Sequence, residues 1–242
     1  MGLSTREAYG KALVELGRTN ENIVVLDADL SKSTKTADFK NAYPKRFINA
    51  GIAEQNLLGM SAGLSRYGKI PFASTFAVFA TGRAFEIVRN SICYPKANVK
   101  IAATHAGITV GEDGGSHQSI EDIAIMNSLP NMSILVPADA KETYEIINYA
   151  AKHEGPVYIR LGRLNSEDIF EDDYEFKYGK GICLNEGSDC SIISTGLMTS
   201  IAKSACEILK QDGINVRLIH MPTIKPIDRD IIECAAKETK FI

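Results

Sequence analysis

Phe47-Ile-Asn-Ala-Gly-Ile-Ala-Glu-Gln-Asn56 is the stretch on which the fold turns. Residues 46–52 read as a short apolar strand, and 55–64 as a helix containing Gly59 and Gly63. Glu54 therefore stands at a strand-to-helix junction, the place where open α/β sheets bind ligands. An acid with mostly apolar neighbours can be buried there. Once buried, it stays ionised only if something pairs with it; otherwise it donates its proton to a polar ligand. The same residue also reads as an acid favoured by the positive end of a helix dipole.

Working outward, strand and helix patterns alternate along the chain. Helical spacing of apolar residues runs over 5–16, and 22–30 is a buried strand ending in Asp27 and Asp29. Strands follow at 71–76, 99–104, 132–136 and 157–161, with helices at 79–92, 120–127 and 140–151 between them. This alternation predicts an α/β fold: a doubly wound parallel sheet with helices on both faces, over residues 1–165. Six acids crowd from Glu167 to Glu175, so 166–187 reads as a solvated linker, with a surface hairpin as the alternative. A second alternation then begins, with strands at 190–195 and 216–221 and helices at 199–211 and 228–237. Residues 188–242 are expected to form a smaller α/β domain. Two strands make a thin sheet, so that domain is expected to be incomplete.

Bulk properties exclude several classes. A net charge of −3 over 242 residues suggests no nucleic-acid or membrane surface. No apolar run reaches the roughly 20 residues needed to cross a bilayer, and the first residues lack a signal-peptide core. The five cysteines match neither a zinc site nor a redox pair. Scattered thiols of this kind suit a cytoplasmic protein.

Chemistry-bearing residues gather in two further runs. Ala103-Thr-His-Ala-Gly-Ile-Thr-Val-Gly-Glu-Asp-Gly-Gly-Ser-His-Gln118 follows a strand and holds His105, Asp113 and His117. Its acids would repel a phosphate. Acids and histidines together suit sugar hydroxyls, which need acceptors and a group that exchanges protons near neutral pH. The alternative is a structural loop whose histidines cap backbone. In Ser74-Thr-Phe-Ala-Val-Phe79, Phe76 and Phe79 are core aromatics or a stacking surface for a flat heterocycle. Arg6 and Arg163 lie near element ends, where an anionic group could be held bidentately.

In this order and near this spacing, the Gly-Ile-Ala-Glu-Gln-Asn, Ser-Thr-Phe-x-x-Phe and Thr-His…Glu-Asp-Gly…His-Gln runs resemble the pyrimidine-binding half of transketolase. The likeness covers residues 4 to about 165 and continues more weakly through Ile219-His-Met-Pro-Thr-Ile-Lys-Pro-Ile-Asp228. The resemblance implies a thiamine-diphosphate enzyme. Glu54 would hydrogen-bond the aminopyrimidine ring nitrogen, Phe79 would stack on that ring, and Phe76 would line the same pocket. Asp29 would lie near the thiazolium. His105, Asp113 and His117 would contact the sugar, with His117 moving a proton, and Arg6, Ser33 and Arg163 would hold its phosphate. A tyrosine often seen in the family is Gly82 here, which implies a more open wall.

The family holds magnesium and the diphosphate with a Gly-Asp-Gly motif, and none occurs in this sequence. The resemblance therefore implies no metal ligand in this chain. It implies an N-terminal partner subunit carrying that motif, an α2β2 heterotetramer, and a site between the chains. The expected activity is transfer of a two-carbon ketol unit from a ketose phosphate to an aldose phosphate. Rival readings are a deoxyxylulose-phosphate synthase-like enzyme, a pyruvate-dehydrogenase-type β subunit, and a non-catalytic partner that kept the fold.

Overall fold

The computed structural model describes residues 2–242. Helix α1 (Thr5–Thr19) begins with a capping box: the Ser4 hydroxyl accepts from Glu7 N–H, and the Glu7 carboxylate accepts from Ser4 N–H. Strand β1 (Ile23–Asp27) is buried throughout. Two short helices follow, α2 (Ser31–Thr34) and α3 (Ala37–Ala42), then a 3-10 turn at Pro44–Arg46. Neither short helix is legible in the periodicity, because each is too short to show one.

Strand β2 (Phe47–Asn49) leads to α4 (Glu54–Arg66), and β3 (Ile70–Phe76) to a helical segment over 79–93. That segment was expected to be an ordinary helix. Its ends are π-helical, at Phe79–Arg83 and Val88–Cys93, around one α turn, α5 (Phe85–Ile87). Then come β4 (Lys100–Thr104), α6 (Asp122–Asn127), β5 (Ser133–Leu135), α7 (Ala140–Lys152) and β6 (Val157–Arg160). The second region holds β7 (Ile182–Asn185), β8 (Cys190–Ser194), α8 (Met198–Gln211), β9 (Val216–His220), β10 (Thr223–Lys225) and α9 (Arg229–Glu238).

The fold is α/β, with a doubly wound sheet as the alternation implies. Its strand order is β10-β5-β6-β4-β3-β1-β2. All its pairings are parallel except β10 against β5. Strand β1 shows why both faces are covered: Val24 and Leu26 enter one core, Ile23 and Val25 the other. The first core packs under α4 and the 79–93 segment, the second under α1 and α7. From β1 the chain moves outward to β2, then returns to β3 on the other side. The carboxyl ends of β1 and β3 therefore flank a topological switch point.

The smaller sheet has the order β7-β9-β8, with α8 packed on one side and α9 on the other. Two details correct the sequence reading. Strand β7 lies within 166–187, the stretch expected to be a linker, and β10 leaves the second region to join the edge of the large sheet. A buried network also joins the two regions. His220 Nε2 lies 2.8 Å from Glu142 Oε2, which also accepts from Ala138 N–H at 2.7 Å. Among the described residues no helix is long and apolar enough to cross a membrane.

Candidate active site

The carboxyl edge of the large sheet collects the candidate residues. Asp29 follows β1, Glu54 follows β2, Phe76 ends β3, His105 follows β4 and Arg163 follows β6. Each sits where a strand gives way to a loop, so one edge gathers residues far apart in sequence.

Glu54 is the first residue of α4 and is 1% exposed. Its carboxylate is not left alone: Arg83 Nη1 donates to Oε2 at 2.8 Å. The Arg83 guanidinium also lies 4.5 Å from the centroid of the Phe79 ring. Sequence reasoning missed Arg83. Its neighbour Gly82 was the visible departure, and a Cβ on Gly82 would indeed meet nothing within 4 Å.

Four rings pack beside this pair. Phe76 and Phe79 stack at 6.1 Å with 12° between planes, and Phe76 stacks on His105 at 3.9 Å. His117 meets Phe79 edge-on at 5.3 Å and Phe76 at 6.2 Å. His105 is buried, with a left-handed backbone (φ 59°), and its Nδ1 lies 2.8 Å from the Thr104 hydroxyl. Burial, then the positive charges of Arg6 and Arg163, push its pKa down to about 4. At neutral pH His105 is therefore an uncharged hydrogen-bonding group. His117 is more accessible and shares a hydrogen bond with Ser116 Oγ at 3.0 Å through Nδ1. Asp113 stands exposed on the same loop.

Arg6 and Arg163 come together because the start of α1 is stitched to the segment after β6. Gly162 N–H donates to Thr5 Oγ1 at 2.9 Å, and Ser166 Oγ to the Leu3 carbonyl at 2.9 Å. Arg6 Nη1 donates to the Ser33 carbonyl at 3.0 Å, so Ser33 joins the pair through its backbone. Arg163 donates to the Val110 carbonyl. Gly111 permits that contact, since its φ is 87° and a Cβ there would collide with Arg163 Nη1. Among the described residues neither arginine has a carboxylate partner within 4 Å. Burial lowers the pKa of Arg6, and Arg163 lowers it further against the opposing pull of Glu7. Two close, unneutralised guanidiniums favour an anion.

Two further residues shape the edge. Asn49 Nδ2 donates to Asp29 Oδ1 at 2.8 Å, while Asn49 Oδ1 accepts from the N–H groups of Asp29 and Gly51. Asn49 thus ties the loop after β1 to the loop that leads to Glu54. Buried Asp27 accepts from Leu30 N–H and from the hydroxyls of Thr34 and Thr36. Burial raises its pKa against those hydrogen bonds. No spacing rule points to either residue; only the Asp-x-Asp and Asn-x-Gly turn chemistry hints at them.

The family model for the transketolase pyrimidine-binding domain matches residues 1–167, and that for the transketolase C-terminal domain matches 179–242. A Methanocaldococcus jannaschii protein named for the C-terminal section of transketolase is 55% identical over 230 residues, 94% of this chain and 73% of its own length. One of the apulose-4-phosphate transketolase subunits of Phocaeicola vulgatus is 37% identical, over 98% of this chain and 76% of its own. A solved split-gene transketolase, described as an inactive β4 tetramer, superposes with a TM-score of 0.91 at 60% identity. That match covers 99% of this chain and 78% of the other.

Proposed function

Since this chain belongs to the transketolase family, we propose that it is the C-terminal subunit of a two-chain transketolase that uses thiamine diphosphate. The observation that carries the reading is the meeting of a buried acid, a ring stack and two histidines at one switch-point crevice. The residues here fit one end of that cofactor. Glu54 offers a shielded carboxyl to a ring nitrogen, and Phe79, with Phe76 behind it, offers a stacking face. They do not fit the other end, since the sequence has no Gly-Asp-Gly motif for a metal-bound diphosphate. We therefore assign Mg2+ and the diphosphate to an N-terminal partner subunit, in an α2β2 assembly. Exposed Ile52, Ile108 and Ile120 lie on the loops that carry Glu54 and His117, which suits burial of this edge by another chain.

When bound, thiamine diphosphate supplies a heterocycle that stabilises negative charge on the substrate carbon. This chain supplies the surroundings. Glu54 would share a proton with the aminopyrimidine, and Asp29 would lie toward the thiazolium. Uncharged His105 hydrogen-bonds a sugar oxygen, Asp113 accepts from a hydroxyl, and His117 moves a proton on and off a substrate oxygen. Arg6 and Arg163, with Ser33 beside them, hold a phosphate. The reaction moves a two-carbon ketol unit from a ketose phosphate to an aldose phosphate.

The test is ketol transfer by the chain assembled with a Gly-Asp-Gly partner, thiamine diphosphate and Mg2+. Glu54→Gln should lower turnover by at least about a hundredfold while leaving assembly, read by sedimentation, intact. Unchanged turnover in Glu54→Gln would refute the assignment.

A further inference from the structure

Arg83 and Glu54 are unequal partners. The acid is 1% exposed on a helix end, whereas the arginine side chain is 48% exposed. Any separation must therefore move the arginine outward. The backbone beneath it is a π turn, Phe79–Arg83, closed by the Ala84 N–H to the Phe79 carbonyl. The extra residue in that turn carries Arg83 round to the ring of Phe79 and to the carboxyl of Glu54. Beside it Gly82 leaves open space, since a Cβ there would meet nothing within 4 Å.

This geometry conflicts with the roles given to the same atoms under the proposed function. A carboxyl whose Oε2 accepts from a guanidinium at 2.8 Å is already engaged by a donor other than the ring nitrogen it would serve. The Phe79 ring already has Phe76 stacked on it and His117 at its edge, and Arg83 covers it as well. A flat heterocycle and the guanidinium thus compete for one carboxyl and one ring.

We propose that Arg83 is a latch: it occupies Glu54 and Phe79 when no heterocycle is bound, and it swings into solvent when the aminopyrimidine of thiamine diphosphate enters. The latch keeps a buried acid paired until a ligand replaces the partner. It rests on the cofactor reading above.

The experiment is calorimetric titration of thiamine diphosphate with Mg2+ into the chain assembled with its Gly-Asp-Gly partner. Native, Arg83→Met, Arg83→Lys and Glu54→Gln proteins are compared. Met keeps the length and apolar stem while removing the competing charge. Arg83→Met should bind the cofactor about fivefold tighter, the worth of one half-exposed ion pair, and Arg83→Lys should fall between it and native. A gain in affinity is not what structural damage produces. A second readout needs no cofactor: thermal unfolding of the four corners Arg83→Met, Glu54→Gln, both and neither. Arg83→Met should lower the midpoint, and adding Glu54→Gln should restore it, since the buried charge is then gone.

Native binding with unchanged or weaker binding by Arg83→Met would overturn the latch and leave the cofactor reading standing. Independent effects of the two substitutions on unfolding would also overturn it, by showing that the pair does not form. No cofactor binding by the native assembly, or binding indifferent to Glu54→Gln, would remove the cofactor reading and the latch with it.

Discussion

Replacing His105 with Asn should flatten the acid limb of the stability curve. Burial, Arg6 and Arg163 hold the folded pKa at about 4, against an ordinary 6.5. The unfolded chain takes a proton as pH falls through 6.5, while the folded chain refuses one until about 4. Stability is therefore full above pH 6.5, declines between 6.5 and 4, and stays level below. At about 1.36 kcal/mol per pH unit, the loss over that window is about 3 kcal/mol. Asn accepts the left-handed φ of 59° at this position, so the substitution adds little backbone strain. Urea midpoints at pH 7, 6, 5 and 4 measure the effect. Buried carboxyls such as Asp27 and Asp139 titrate in both proteins and cancel in the difference. The native and variant curves should diverge by up to about 3 kcal/mol on descending to pH 4. Parallel curves would refute the claim that His105 is held uncharged.

Two further substitutions probe the scaffold. Lys100 is fully buried, with its ammonium on Asn98 Oδ1 and the carbonyls of His153 and Gly155 at 2.6, 2.6 and 2.7 Å. Burial pushes its pKa down to about 7, so its contribution to stability improves as pH rises from about 7 toward 10.5. Lys100→Met should lose that slope, and at pH 7 the three stranded acceptors should cost at least about 2 kcal/mol. Urea midpoints at pH 7 and 9.5 test both, and an unchanged slope would contradict the burial argument. Gly187→Ala would drive a Cβ into the Val216 carbonyl carbon and Arg217 N, backbone that has no room to yield. Overpacking of this kind costs about 1–3 kcal/mol. Hydrogen exchange should quicken in β7 and β9 and stay slow in β1 and β4; uniform change across both sheets would argue against a local clash.

The large sheet was legible because its strands are buried on both faces and carry short apolar runs, such as 23–26 and 101–103. Glu54 was legible because a strand-to-helix junction sets its place without any long-range contact. Arg83 was not. Its partner lies 29 residues away, and the two meet only because a π turn alters the helical register. Strand β7 was hidden for a different reason: its four residues, Ile182–Asn185, are too few to show an alternation beside a dense run of acids. The allegiance of β10 to the large sheet is a tertiary choice, and nothing in Thr-Ile-Lys declares it.

The order of strands in space gives the crevice a direction that chain order does not. From β2 across β1, β3 and β4 to β6, the edge presents Glu54, Asp29, the Phe76–Phe79 stack, His105 and Arg163 in turn. Four steps of about 4.8 Å separate strand β2 from strand β6. The acid and rings suit a neutral heterocycle, and the two arginines without a carboxylate partner suit a phosphate. The uncharged, buried His105 lies between them, next to the more accessible His117. A ligand with a phosphate at one end and a reacting carbon several bonds away is oriented along this edge by Arg6 and Arg163, because Arg83, the other cation here, is already paired with Glu54. Orientation is set by charge rather than by shape. On this argument, loss of Arg6 or Arg163 should loosen orientation as well as affinity, whereas loss of Asp29 should leave orientation unchanged.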